Sequence, residues 1–210
     1  MGNGSACVVG GHSYIIKKGQ RFISNSAVAS MGYDLPAAIG AYMANLDGKR
    51  YDKELILITG DGSIQMNLQE LQTIVHHRMN IKIFLINNEG YHSIRQTQSR
   101  YFEDESLVGI GPDSGDLSFP DMGKIANAYG ITYFCAKTNS ELEDAIAKTF
   151  KAVGPVICEA YVTKEQNFEP KSSGKQLADG RMVSPPLEDL TPFLSDEEME
   201  ENMIIPRIIE

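Results

Sequence analysis

ELILITGDGSIQMNLQELQTIVHHRMNIKIFLINN, residues 54–88, decides the fold. It opens with ELILIT (54–59), an almost continuous aliphatic run with the length and branching of a strand buried on both faces. The run stops at Gly60-Asp61-Gly62. Asn67 and Glu70 then make a capping-box-like helix start, and Leu68, Leu71, Ile74 and Val75 follow at helical spacing. IKIFLI (81–86) is a second buried strand, ended by Asn87-Asn88.

The same alternation continues downstream. Pro120 suits the first turn of a helix running to about Tyr129, Gly130 ends it, and residues 131–135 read as a strand. Ser140 and Glu143 repeat the cap signature ahead of one helical face made by Leu142, Ala145, Ile146, Thr149 and Phe150. Residues 156–162 form a last strand. Strands separated by helices of this length predict a three-layer α/β/α fold around a mostly parallel sheet. The pattern fills residues 1–165; residues 166–210, with Pro170, Pro185, Pro186, Pro192 and Pro206, read as an extended C-terminal arm. Its one helix is expected near Asp196–Asn202, started by Ser195, and Leu187, Leu190, Phe193, Leu194, Met203, Ile204 and Ile205 are expected to dock it.

Composition narrows the function. The 210 residues carry 19 basic and 28 acidic side chains, a formal charge of −9, which argues against nucleic acid as a partner because phosphate binding draws on clustered Lys and Arg. No apolar run has the roughly 18 residues of a membrane span. Cys7, Cys135 and Cys158 form no CxxC pair; the spacing signals neither a structural zinc nor an iron–sulfur cluster and suits a reducing cytoplasm.

In a parallel sheet, ligands bind beyond the carboxyl ends of the strands, where both Gly60-Asp61-Gly62-Ser63 and Asn87-Asn88 fall. Glycines let backbone N–H groups approach a phosphate. Asp61 is a hard anionic oxygen ligand and Asn88 a neutral one. A carboxylate, an amide and a backbone carbonyl would leave an octahedral magnesium room for two diphosphate oxygens and a water. Each dipeptide alone is a common turn; the pair, each after a buried strand, is far more specific.

Residues 61–98, DGSIQMNLQELQTIVHHRMNIKIFLINNEGYHSIRQTQ, preceded by Gly60, resemble the diphosphate-binding motif of thiamine diphosphate enzymes. Together with SMGYDLPAAIGA (30–41), they are most similar to the acetolactate synthase branch, and the resemblance covers about residues 4–165. It implies thiamine diphosphate and Mg2+ as cofactors. Asp61 and Asn88 would hold the metal through side chains and Gly90 through its carbonyl. Gly60, Gly62 and Ser63 would contact the diphosphate, as would Gly4 and Ser5 in the first phosphate loop, where Ser5-Ala6 stands in place of the branch's Gln-His pair. Met31 would wedge the cofactor into its bent form, and the Ala29 carbonyl, where glycine is common, would accept from its aminopyrimidine. The implied activity is 2-oxo acid decarboxylation or carboligation by a homodimer or homotetramer.

Two departures shape the expectation. The branch supplies a Glu from a pyrimidine-binding domain, upstream or on a partner chain, and these residues contain no such domain; the chain reads as a C-terminal part, inactive alone. The branch's Gln-Trp-Gln is here Gln96-Thr97-Gln98, so the acceptor pocket is expected to be wider or more polar, suited to a decarboxylase or to a larger, sugar-derived acceptor. Alternatives are a phosphate-binding regulatory or scaffold module, one subunit of a two-chain decarboxylase, and an oxo-acid:ferredoxin oxidoreductase chain, which the cysteine spacing disfavours. No GxGxxG supports a Rossmann nucleotide site. His76 and His77 read as helix-surface residues, His12 as a helix residue with no partner at ligand spacing, His92 as a residue just after the proposed metal loop that faces either substrate or solvent, and Tyr91 and Tyr101 as core or lid packing. Arg95 and Arg100 read as partners of a substrate carboxylate or of Glu103 and Asp104. Residues 103–119, rich in turn formers, read as a mobile active-site loop.

Overall fold

Leu55–Gly60 (β1) and Ile81–Asn87 (β2) pair in parallel from Leu55↔Ile81 to Gly60↔Ile86, so both aliphatic runs end at the same rim. A computed structural model describes residues 1–49, 53–102, 107–177 and 179–207. They divide into two compact units, Met1–Gln166 and Asn167–Glu210.

In the first unit Thr132–Ala136 (β3) and Val156–Tyr161 (β4) complete a wholly parallel sheet of order β1-β2-β4-β3. Seven helices surround it among the described residues: Ser5–Ser13 (α1), Asp34–Asp47 (α2), Asp61–Gln65 (α3), Glu70–His76 (α4), His92–Tyr101 (α5), Met122–Tyr129 (α6) and Asn139–Lys151 (α7). Because side chains alternate along a strand, Ile81, Ile83 and Leu85 of β2 and Ile157 of β4 share one face. They pack with Leu35 of α2, Leu71 and Ile74 of α4, and Met122 and Ala126 of α6. On the opposite face Phe84, Cys158 and Ala136 meet Leu142 and Ala145 of α7. Lys82, buried on that second side, donates to Asn80 Oδ1 at 2.8 Å and to the carbonyl of Ala152 just past α7, where a cation suits the helix end.

The local start signals differ from the sequence reading. Helix begins at Asp61 itself, and the Asn67–Glu70 pair is not a cap: α4 has Gln69 before it, and the Asn67 amide reaches the Gly32 carbonyl at 2.7 Å. The chain is already turning from α3, so no cap is required. Pro120 precedes α6 rather than opening it; Asp121 is the cap and accepts from Lys124 N at 2.9 Å. Gly130 does end α6, at φ 70. The cap of α7 is Thr138 with Glu141, two residues earlier than Ser140 and Glu143; Glu141 Oε2 accepts from Lys137 N and Thr138 N at 2.7 and 3.2 Å.

The described part of the 103–119 segment has definite structure. Ile110 is buried with its carbonyl accepting from Tyr91 N at 2.7 Å, and Pro112–Ser114 forms a 3-10 turn. Residues 103–106, with Glu103 and Asp104, lie outside the described residues.

In the second unit Lys175–Gln176 (β5) and Met182–Val183 (β6) pair antiparallel, a ribbon absent from the sequence reading. Asp196–Asn202 (α8) is capped as expected, Ser195 Oγ accepting from Glu198 N at 3.2 Å. Of the apolar residues expected to be covered, Leu187, Leu194, Ile204 and Ile205 are exposed, whereas Phe168, Asp189 and Met199 are buried.

Candidate functional site

The β1 and β2 rims bring Asp61 and the Asn88–Gly90 turn together. Gly90 N–H donates to Asp61 Oδ2 at 2.9 Å, and Gly62 N–H donates to Asp61 Oδ1 at 2.8 Å. Asp61 is 3% exposed and Asn88 4%. Among the described residues no lysine or arginine forms an ion pair with Asp61. Burial pushes its carboxyl up to about 6 from an ordinary 3.8, against the pull of the hydrogen bonds from Gly90 and Gly62; nearby Glu159 adds to the rise. A dication beside Asp61 would compensate that burial.

The turn itself admits little variation. Glu89 is left-handed at φ 56 and Gly90 lies at φ 140. A Cβ on Gly90 would stand 1.9 Å from the Ile110 carbonyl oxygen, and one on Gly62 would stand 2.3 Å from the Tyr91 ring. Tyr91 thus covers Gly62, and its ring packs edge-on to Phe119 with centroids 5.6 Å apart.

The 30–41 motif reaches the same place by side-chain links. Gly32 N–H donates to Ser63 Oγ at 3.0 Å, and Gly32, at φ 81, leaves no room for a Cβ beside Met66. Met31 is half-buried next to it, and Ala29 is exposed at φ 53, a backbone region that explains glycine as the more common occupant. Asp34, buried at the start of α2, accepts from Thr59 Oγ1 at the end of β1. The first loop joins both motifs: Asn3 Nδ2 donates to the Ser30 carbonyl at 2.6 Å, and Asn88 Nδ2 donates to Ser5 Oγ at 2.7 Å. Asn3 Oδ1 is buried with no partner among the described residues. Gly4, at φ 92, starts α1.

Every residue singled out from the sequence for cofactor or metal (Gly4, Ser5, Ala29, Met31, Gly60, Asp61, Gly62, Ser63, Asn88 and Gly90) therefore lies in one of four segments linked by these bonds. Asn3 and Asn67 make two of the ties; Asn3, just ahead of the first phosphate loop, is not singled out by the sequence, and Asn67 reads there as a helix cap. Among the described residues no three His, Cys, Asp or Glu side chains converge as a metal cluster.

His92 is buried, its Nε2 donating to the Gln166 carbonyl at 2.8 Å, so it braces the chain after β4. Arg95 is also buried; it meets Asp113 at 3.4 Å and the Glu89 carbonyl at 3.2 Å. Lys164 bridges Asp113 at 2.7 Å and Glu89 at 3.5 Å. Arg100 stacks over Tyr101, His76 and His77 are exposed as expected, and His12 is exposed as well. Thr97 is exposed on α5 and its hydroxyl donates to the Ser93 carbonyl.

The family model of the thiamine pyrophosphate enzyme C-terminal TPP binding domain matches residues 2–160. The acetolactate synthase large subunit of Cyanidium caldarium is 37% identical over 150 residues, covering 71% of this chain and 24% of that protein. The acetolactate synthase isozyme 1 large subunit of Escherichia coli (strain K12) is 27% identical over 158 residues, covering 75% and 26%. The crystal structure of benzoylformate decarboxylase from Polynucleobacter necessarius superposes with a TM-score of 0.58 at 26% identity, over 67% of this chain and 25% of that one. The chain thus spans about a quarter of the length of the relatives it matches.

Proposed function

Since the chain belongs to the thiamine pyrophosphate enzyme family, as its C-terminal TPP-binding domain, we propose that it anchors Mg2+ and the diphosphate of thiamine diphosphate in an acetolactate synthase-like 2-oxo acid decarboxylase or carboligase. The observation that carries the reading is the Asp61 carboxylate gripping the Gly90 amide across the rims of two neighbouring parallel strands.

When bound, thiamine diphosphate supplies the electron sink on which a 2-oxo acid can lose carbon dioxide. The residues here bind and orient. Asp61 and Asn88 offer the metal a carboxylate and an amide oxygen, and the Gly90 carbonyl is the third donor. Gly60, Gly62 and the first loop at Gly4 and Ser5 admit phosphate oxygens close to the backbone. Ser63 fixes Gly32, and through it the Ala29–Met31 segment assigned to the aminopyrimidine and thiazolium rings. Tyr91 over Gly62 shields this corner from water.

Turnover on this reading needs a pyrimidine-binding domain, upstream or on a partner chain, within a homodimer or homotetramer. The exposed Thr97 in place of an indole favours a wide or polar acceptor pocket, so a decarboxylase or a carboligase for a larger acceptor fits better than branched-chain amino-acid synthesis.

Calorimetric titration of the 210-residue chain tests the reading. Thiamine diphosphate is expected to bind at least about tenfold more tightly with Mg2+ than without it, as expected when the metal supplies part of the site. Asp61→Ala should abolish the difference. Binding that ignores Mg2+, or an Asp61→Ala variant with unchanged metal dependence, would contradict it.

A further inference from the structure

Glu159 is a deeply buried carboxyl that the proposed chemistry leaves unused. It lies on β4, 2% exposed, beside Leu85 of β2 and Cys135 of β3. Among the described residues it has no lysine, arginine or histidine ion-pair partner. Two neutral donors hold it instead. The Tyr133 hydroxyl donates to Oε2, and Asn87 Nδ2 donates to Oε1 at 2.7 Å. The other end of the Asn87 amide is also used: Oδ1 accepts from Glu89 N at 2.9 Å. Both ends being engaged fixes which way the amide faces, because Oδ1 turned toward a carboxyl oxygen would set acceptor against acceptor.

The chain of bonds therefore runs from β3 through Glu159 and Asn87 into the left-handed turn at Glu89. On either side of Glu89 stand Asn88 and Gly90, two of the three proposed metal donors. A carboxyl in an aliphatic sheet face is costly to bury. A leucine there would fill the space as well but would leave the Asn87 amide free to rotate.

Building on the magnesium–thiamine diphosphate reading, we propose that Glu159 is a positioning residue: through Asn87 it locks the Glu89 turn, so that the Asn88 side chain and the Gly90 carbonyl are preset for the metal. Tyr133 is its outer brace. Groups behind metal ligands commonly change metal affinity by about 10- to 100-fold when removed.

The test uses Mn2+ as probe, titrated by electron paramagnetic resonance into the full chain with saturating thiamine diphosphate, alongside melting temperatures. Glu159→Met is expected to weaken Mn2+ binding about tenfold, and Glu159→Gln, which keeps an acceptor for Asn87, to stay within about threefold. Asn87→Ala should lose about as much as Glu159→Met, and the double variant no more than either, because the two act in series. A purely structural role predicts independent losses that multiply. Wild-type affinity in Glu159→Met, or multiplying losses, overturns the proposal. If Glu159→Met does not fold, Glu159→Asp, whose carboxyl is one methylene too short to span both donors, takes its place with the same expected loss. A wild-type chain that binds no Mn2+ overturns the functional reading along with it, whereas intact wild-type binding and unaffected variants overturn the relay alone.

Discussion

Gly90 carries more constraint than any other single residue of the site. Its φ of 140 lies where side chains are strained, and a Cβ would collide with the Ile110 carbonyl at 1.9 Å. Gly90→Ala is expected to cost on the order of 3 kcal/mol in urea unfolding and to remove metal-dependent cofactor binding, since the Ile110 segment must move and the Gly90–Asp61 bond goes with it. Stability within experimental error of wild type would show that the approach of the two segments is not needed. Residues whose role follows from chain position were readable without coordinates: Asp61 and Asn88 each follow an unbroken aliphatic strand. Residues whose role is a tie between loops were not. Asn67 matches a helix-cap pattern, and nothing local says that its amide is used 35 positions away, by Gly32. The pairing of Glu159 with Asn87, 72 positions apart, was equally hidden.

At the scale of elements, α7 shows how a correct helix acquires a wrong first residue. Thr138/Glu141 and Ser140/Glu143 both satisfy the spacing of a capping box. The backbone decides, because Thr138 is extended at φ −135 while Ser140 is already helical. The Glu141 carboxyl accepts the amides of Lys137 and Thr138, and these bonds hold it below its ordinary 4.5. A carboxyl lowered on folding contributes stability above its unfolded value, and this is lost as pH falls through the lowered one. The start of α7 should therefore loosen in acid below that ordinary value. Amide hydrogen exchange at Lys137 and Thr138 is expected to speed up across that range, after correction for intrinsic chemistry, and to be insensitive to pH there in Glu141→Gln. Equal pH dependence in both proteins would remove Glu141 as the cause. The strands needed no such arbitration: runs such as IKIFLI can only be buried on two sides, and even Lys82 within one is explained by the carbonyls it reaches.

For the molecule as a whole, parallel order β1-β2-β4-β3 is what gathers the chemistry. It sends the ends of β1 and β2 to one rim, and the motif at 30–41 reaches the β1 end through Gly32 and Asp34. Alternation of strand and helix made that architecture legible, since few other arrangements bury such strands. The second unit was less so: its two-residue strands and the bridge between Lys171 and Thr191 leave no periodic signature in a proline-rich stretch. One ion at the shared rim would hold the cofactor's diphosphate, and anomalous scattering from crystals of the chain grown with thiamine diphosphate and Mn2+ tests this most directly. A single strong peak is expected within about 2.3 Å of both an Asp61 carboxylate oxygen and the Asn88 amide oxygen, as octahedral oxygen ligation of a magnesium-site ion requires. A bound cofactor with the manganese peak elsewhere, or with none, would contradict it.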